Sequence, residues 1–142
     1  MRKRRVIILS LVAFIVIASV GFVAAARSKK KAQSASCAGM LFPLTFAAME
    51  WAAENGERYP TNLMYLSNQV ATRWLICPSD SAHHVAQDWS SFTADHSSYE
   101  LISPGIAQSD TNSVFLRCRV HGHMSYTDST VFDGARRRHK YD

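Results

Sequence analysis

The sequence has no acidic residue before Glu50, although eight of its sixteen basic residues lie within the first 31 positions. Residues 32–142 carry the other eight bases and all eleven acids, so this part has a net charge of −3. The pI of about 9.4 would by itself favour a nucleic-acid partner. Here, however, the positive charge flanks an apolar segment, which is typical of membrane topology signals and lipid contact. We therefore expect no nucleic-acid partner.

The chain also lacks an even number of cysteines, since it has only Cys37, Cys77 and Cys118. In an exported protein, an odd count favours one disulfide and one thiol that is free or paired between chains. No internal repeat is visible. About 105 residues lie outside the apolar segment, which is enough for one small domain with a modest core.

The apolar segment comprises residues 6–26, which contain no charged side chain. Because a helix of about 20 apolar residues spans a bilayer core, we predict an uncleaved transmembrane anchor. A cleaved signal peptide is the alternative, with a small-residue site at Ala24-Ala25-Ala26, but the mature chain would then begin at the basic residue Arg27. The predicted organisation is a cytoplasmic basic leader (1–5), the transmembrane anchor (6–26), a basic linker (27–36), an extracytoplasmic domain (37–134) and a basic disordered tail (135–142).

After the linker, an apolar stripe predicts a helix that forms the spine of the domain. Its members follow steps of four and three positions, which place them on one helical face. They are Cys37, Leu41, Leu44, Ala48, Trp51 and Asn55. Gly56 is a natural helix stop, whereas Pro43 either kinks the helix or marks its first turn. Such a stripe is more often part of a core than a partner interface.

Downstream of the spine, the sequence predicts one short helix and then a small antiparallel sheet. Residues 61–74 have apolar side chains at helical spacing, whereas residues 81–96 are mostly polar and predict a long loop. The strand candidates are residues 98–102, 113–118, 123–127 and 130–132. In the second candidate, Val114, Leu116 and Cys118 would share the buried face.

Several short motifs keep a fixed order along this domain. They are Glu54-Asn55-Gly56 with Tyr59-Pro60, Cys77-Pro78-Ser79-Asp80, Ser98-Tyr99 with Ser103-Pro104-Gly105, Cys118-Arg119-Val120-His121-Gly122, and Asp128-Ser129-Thr130-Val131. In this order, and preceded by Cys37, they resemble bacterial type II secretion pseudopilin-like (prepilin-like) envelope proteins. Two features depart from that family. The prepilin-peptidase signal is missing, since Arg5 is followed directly by Val6, and Ser129 stands where the family has a turn glycine.

The resemblance implies an α+β fold in which an N-terminal transmembrane helix continues into a long spine helix packed on a small antiparallel sheet. It also implies a non-enzymatic, single-pass protein of the bacterial inner membrane, with its C-terminal domain in the periplasm. Its function would be structural, or an assembly role through the N-terminal helix. The implied partners are the membrane and other proteins, which would bind through residues 37–55 by self-association or pseudopilin-type assembly.

The sharpest local cluster of reactive side chains is Cys77, Cys118 and His121. Cys118-x-x-His121 has metal-ligand spacing, and Cys77 or a nearby histidine would complete a tetrahedral zinc site. The nearby histidines are His83, His84 and His123. The favoured interpretation is instead a Cys77–Cys118 disulfide, which would stabilise a small domain by about 3–4 kcal/mol, and reduced core thiols are the third. We therefore predict no metal and no cofactor.

Catalysis is not predicted from any residue pattern. Ser79, His121 and Asp128 are the residue types of a catalytic triad, but no nucleophile-elbow sequence surrounds the serine. Asp80 is expected to stabilise a turn through its side chain rather than act as an acid. The alternative to an assembly protein is an anchored or secreted binding module with a Cys/His metal or ligand site.

Overall fold

The computed structural model describes the backbone of residues 2–134 and 137–138 and the side chains of residues 14–134. One helix, α1 (Arg2–Glu54), is followed by three 3-10 turns at Leu63–Leu66, Thr72–Leu75 and Ala94–His96. The described residues also contain five strands: β1 (Tyr99–Leu101), β2 (Val114–Cys118), β3 (Met124–Tyr126), β4 (Val131–Phe132) and β5 (Arg137–Arg138). The chain divides into two compact units, Met1–Ala32 and Gln33–Asp142.

The first unit consists of the N-terminal part of α1. Residues 27–36, predicted as a basic linker, lie within α1. This stretch has no glycine or proline and contains good helix formers such as alanine, lysine, arginine and glutamine. Large apolar side chains are exposed along the described part of this unit; they are Phe14, Ile15, Val16, Ile17, Val20, Phe22 and Val23.

The predicted membrane anchor is not supported. Within the part of the chain that the structure describes, none of the helices has the length and apolar character that crossing a bilayer requires. The predicted localisation, a single-pass inner-membrane protein with a periplasmic domain, is therefore corrected. The side chains of residues 6–13 lie outside the described residues.

In the second unit, the C-terminal part of α1 forms one wall of the core. Cys37, Leu41, Leu44 and Ala48 are fully buried, which confirms that this part of the predicted stripe faces the core. At its C-terminal end, Trp51 is half-buried and Asn55 is exposed. The helix continues through Pro43, which cannot donate a backbone hydrogen bond to the preceding turn. It ends at Glu54, where Gly56 adopts a φ of +77° and the next N–H bonds back to the Ala52 carbonyl.

The sheet packs against this helix and is fully antiparallel, with the order β1-β2-β3-β4-β5. Together with α1, it confirms the predicted α+β class, and the four predicted strands lie within one or two residues of β1 to β4. The register of β2 shifts between Val114 and Leu116, so Phe115 and Leu116 are both fully buried. The predicted alternation is therefore wrong at this bulge, because an extra residue changes which side chains face the core.

Two segments differ from the predicted secondary structure. Residues 61–74 form two separate 3-10 turns instead of one helix; the Asn62 side chain caps the first, and both turns bury leucines. In the predicted disordered tail, Arg137–Arg138 pair with β4 as a short strand, while residues 135–136 and 139–142 lie outside the described residues.

Candidate metal centre

Four potential metal ligands meet inside the second unit. Cys37 belongs to α1, Cys77 follows the 3-10 turn at Thr72–Leu75, Cys118 ends β2, and His121 lies in the turn after it. Their ligand atoms all lie within 4.8 Å of one another. The Sγ atoms of Cys37 and Cys118 are 3.3 Å apart, and the Cys77 Sγ is 3.3 Å from the His121 Nδ1.

These separations suit a tetrahedral metal. Zn²⁺ binds sulfur at about 2.3 Å and imidazole nitrogen at about 2.0–2.1 Å, so the ligand atoms of a tetrahedron lie about 3.3–3.8 Å apart. The two 3.3 Å contacts already have this spacing, and the widest separation of 4.8 Å exceeds it by only about 1 Å. Three thiols and one imidazole form a Cys₃His donor set, which is typical of structural zinc sites.

Two tight turns direct the sulfurs of Cys77 and Cys118 inward. The Asp80 N–H donates to the Cys77 carbonyl at 2.9 Å, and the Gly122 N–H donates to the Cys118 carbonyl at 2.9 Å. Gly122 has a φ of +69°, a conformation that glycine adopts at low cost. Within these turns, the Cys77 sulfur accepts a hydrogen bond from the Ser79 N–H. The Cys118 sulfur accepts hydrogen bonds from the N–H groups of Val120 and His121.

The thiols are unequal in acidity. The hydrogen bond from the Cys37 thiol is the largest influence on Cys118; together with the turn N–H groups, it outweighs burial and lowers the pKa of Cys118 to about 5. The same hydrogen bond and burial raise the pKa of Cys37 well above its ordinary value. Burial also raises the pKa of Cys77. Without a metal, the cluster is therefore poised to hold one thiolate, on Cys118, and binding of a metal would release the remaining thiol protons.

A second layer of polar groups surrounds the cluster. The Tyr99 hydroxyl lies 3.7 Å from the Cys37 sulfur, and the Ser98 hydroxyl oxygen accepts the Cys77 N–H at 2.8 Å. The His121 ring stacks on His123, with centroids 5.1 Å apart. The Nε2 atom of His123 lies 3.2 Å from the Ser34 hydroxyl on α1. Cys37, Cys77 and His121 are therefore each adjacent to a polar or aromatic group that helps to hold them in place.

Asp80 fixes the turn that carries Cys77. Burial alone would raise its pKa, but hydrogen bonds from the Ser98 hydroxyl and from the N–H groups of Ala82 and His83 outweigh burial and hold its pKa well below the usual range. The Ser98 hydroxyl donates to it at 2.6 Å, and the His83 ring lies 2.8 Å away. The predicted turn-stabilising role of Asp80 is thus confirmed.

The predicted site residues are brought together, but not as a disulfide. Cys77, Cys118 and His121 converge as the metal-ligand spacing indicated. All three cysteines are free, so the structure shows no Cys77–Cys118 disulfide, and the Sγ atom of Cys37 lies 3.3 Å from that of Cys118. Sequence analysis missed Cys37 as the fourth ligand. Two features of the sequence pointed to Cys37: the odd number of cysteines and its position at the start of the buried stripe.

The other histidines proposed as ligands occupy different positions. His83 pairs with Asp80, His84 is exposed, and His123 contacts Ser34 rather than joining the cluster. Asp128, which shares the residue types of a catalytic triad with Ser79 and His121, accepts hydrogen bonds from the backbone N–H and the hydroxyl of Thr130. It therefore stabilises the turn between β3 and β4.

Comparison of the chain with models of protein families, with curated proteins and with solved structures gives no match. The resemblance to pseudopilin-like proteins therefore stays a prediction from short motifs. The geometry of the Cys/His cluster carries the functional argument.

Proposed function

We propose that this chain is a non-enzymatic zinc-binding protein whose Cys₃His site fastens helix α1 to the sheet. The observation that carries the proposal is the convergence of four ligand atoms within 4.8 Å from three separate segments of the chain. Thiolate and imidazole ligands select zinc over magnesium or calcium, which prefer oxygen ligands.

The donor set favours a structural role over a catalytic one. Catalytic zinc sites keep a coordination position open for water or substrate, whereas structural sites fill all four with protein ligands. Here the protein supplies four ligands, and the three thiols are at most 1% exposed. A zinc ion held in this way would lie away from bulk water and link three segments of the second unit.

The proposal is tested by the metal content of the purified full chain. We expect one zinc per chain by elemental analysis under reducing conditions. His121→Ala removes a ligand and should reduce the content to well below one, whereas the matched control His84→Ala alters an exposed imidazole outside the cluster and should retain it. Wild-type protein that remains metal-free after refolding with excess zinc would overturn the proposal.

A second candidate function is assembly through the N-terminal helix, as in the pseudopilin-like proteins that the sequence resembles. It is supported by the exposed apolar side chains between Phe14 and Val23, since monomeric proteins seldom expose contiguous apolar surface of this kind. Sedimentation of the full chain should then show concentration-dependent association. Phe14→Gln combined with Ile17→Gln should weaken it, and Val85→Gln, at another exposed apolar residue, should not. A wild-type chain that stays monomeric across the concentration range contradicts this candidate.

A further inference from the structure

The three cysteine sulfurs have different sources of hydrogen bonds. Cys77 and Cys118 lie in turns, where backbone N–H groups point at their sulfurs. Cys37 lies inside α1, where each N–H is directed at the carbonyl four residues earlier. The helix backbone therefore offers the Cys37 sulfur no donor, and any stabilising hydrogen bond must come from a side chain.

Tyr99 is the side chain placed to supply that hydrogen bond. Its hydroxyl lies 3.7 Å from the Cys37 sulfur, and the residue is only 1% exposed. Tyr99 is paired with Cys118 across β1 and β2, which places the ring beside the metal ligands. The Ser97 hydroxyl group fixes its backbone by accepting the Tyr99 N–H and donating to the Tyr99 carbonyl.

The Tyr99 hydroxyl is the donor in this hydrogen bond with or without a metal. In the metal-free cluster the single thiol proton of Cys37 is donated to Cys118, which leaves the phenol as the donor to Cys37. A Cys37 bound to zinc has no proton, so the phenol must then be the donor. A zinc ion with three thiolates and one neutral imidazole carries a net charge of −1, and a buried charge needs hydrogen-bond donors around it.

Resting on the proposed zinc site, we infer that Tyr99 is a positioning residue outside the ligand set, whose hydroxyl donates to the metal-bound Cys37 thiolate and strengthens metal binding. Loss of such an outer hydrogen bond typically weakens metal affinity by about 10- to 100-fold. Tyr99 would thus donate a hydrogen bond to the sulfur of Cys37, as the turn N–H groups donate to the sulfurs of Cys77 and Cys118.

The test compares two full-chain variants that each remove one buried hydroxyl, Tyr99→Phe and Tyr59→Phe. Tyr59 is a matched control because it is also 1% exposed, and its hydroxyl donates to the Thr127 carbonyl instead of a cysteine. Zinc affinity is measured by competition with a chromophoric chelator. The energy of the thiolate-to-metal charge-transfer band is measured in the cobalt-substituted proteins.

We expect Tyr99→Phe to weaken zinc binding by about 10- to 100-fold and to shift the charge-transfer band. Tyr59→Phe should leave the band and the affinity unchanged, even if it lowers thermal stability. Equal affinities and identical bands for Tyr99→Phe and the wild type would overturn the inference while leaving the zinc site intact. A wild-type chain that binds neither metal would overturn the zinc site itself, and the inference with it.

A direct measurement on the wild type covers the case in which Tyr99→Phe does not fold. In protein loaded with an NMR-active cadmium isotope, the Tyr99 hydroxyl proton should show scalar coupling to the metal through the Cys37 sulfur. A slowly exchanging hydroxyl proton that shows no such coupling would also overturn the inference.

Discussion

The sulfur of Cys37 lies 3.3 Å from the sulfur of Cys118, although the two residues are 81 positions apart in the sequence. One sulfur is carried by the helix and the other by the end of a strand. Their approach therefore depends on the packing of α1 against the sheet. It also identifies the pair of thiols that oxidation should join.

We predict that oxidation of the metal-free protein links Cys37 to Cys118. A disulfide needs the sulfurs to approach to about 2.05 Å, and the thiolate that attacks is expected on Cys118, whose pKa is lowered to about 5. With hydrogen peroxide as oxidant, two thiols become one disulfide and the peroxide becomes two water molecules. Peptide mapping should find Cys37 joined to Cys118, and zinc-loaded protein should react much more slowly. A predominant Cys77–Cys118 bond would contradict this prediction.

Removal of the metal should destabilise the fold. A ligand that binds only the folded state adds about 4 kcal/mol of unfolding free energy when its free concentration is a thousand times the dissociation constant. We therefore expect a chelator to lower the melting temperature of the wild type markedly, as monitored by circular dichroism. His121→Ala should melt at the same temperature with and without chelator, because this variant has already lost the stabilisation that bound metal gives to the folded state.

Ser129→Gly should stabilise the protein by about 1 kcal/mol. Ser129 has a φ of +62°, a left-handed conformation that is costly for a residue with a side chain and readily adopted by glycine. Chemical denaturation followed by tryptophan fluorescence would measure the gain. Ser109→Gly is the control, since Ser109 is not among the positive-φ residues, and it should be neutral or destabilising.

Asp80→Asn should lower stability at neutral pH by about 1–3 kcal/mol, because it removes the charged acceptor of several hydrogen bonds. The folded pKa of Asp80 is depressed, so its contribution is complete above the unfolded value of about 4 and is lost as the pH falls further toward the folded value. Denaturation curves at several pH values, recorded in chelator, should show the wild type and variant converging below about pH 4. A difference that stays constant down to pH 2.5 would contradict the assignment. Asp95→Asn, at an exposed carboxylate, is the matched control.

Much of the local structure could be predicted because it depends on neighbouring residues. The apolar stripe after Cys37 and the strands of the sheet follow from side-chain periodicity. The inward-facing pair Cys118 and His121 follows from the spacing of a single turn. Asn62 shows the limit of this reasoning, since its side chain caps a 3-10 turn within a stretch whose spacing favours a longer helix.

The remaining errors arise from relationships that periodicity does not encode. The bulge between Val114 and Leu116 changes which strand residues are buried, and nothing in the local alternation announces it. Cys37 is spaced like an ordinary core residue, so only the tertiary fold reveals that its sulfur meets those of Cys77 and Cys118. Hydropathy likewise favoured a membrane span that the described helix does not support.

The position of Cys37 within α1 has a consequence for the uniqueness of the fold. The buried face of the helix around it includes small residues such as Ala38, Ala47 and Ala48, and small side chains discriminate weakly between neighbouring rotational settings of a helix. A slip of one residue turns a helix by about 100° about its axis and would carry the Cys37 sulfur away from its partners. Metal coordination would thus fix the rotation of α1 about its own axis, selecting one setting from several that hydrophobic contact alone would tolerate.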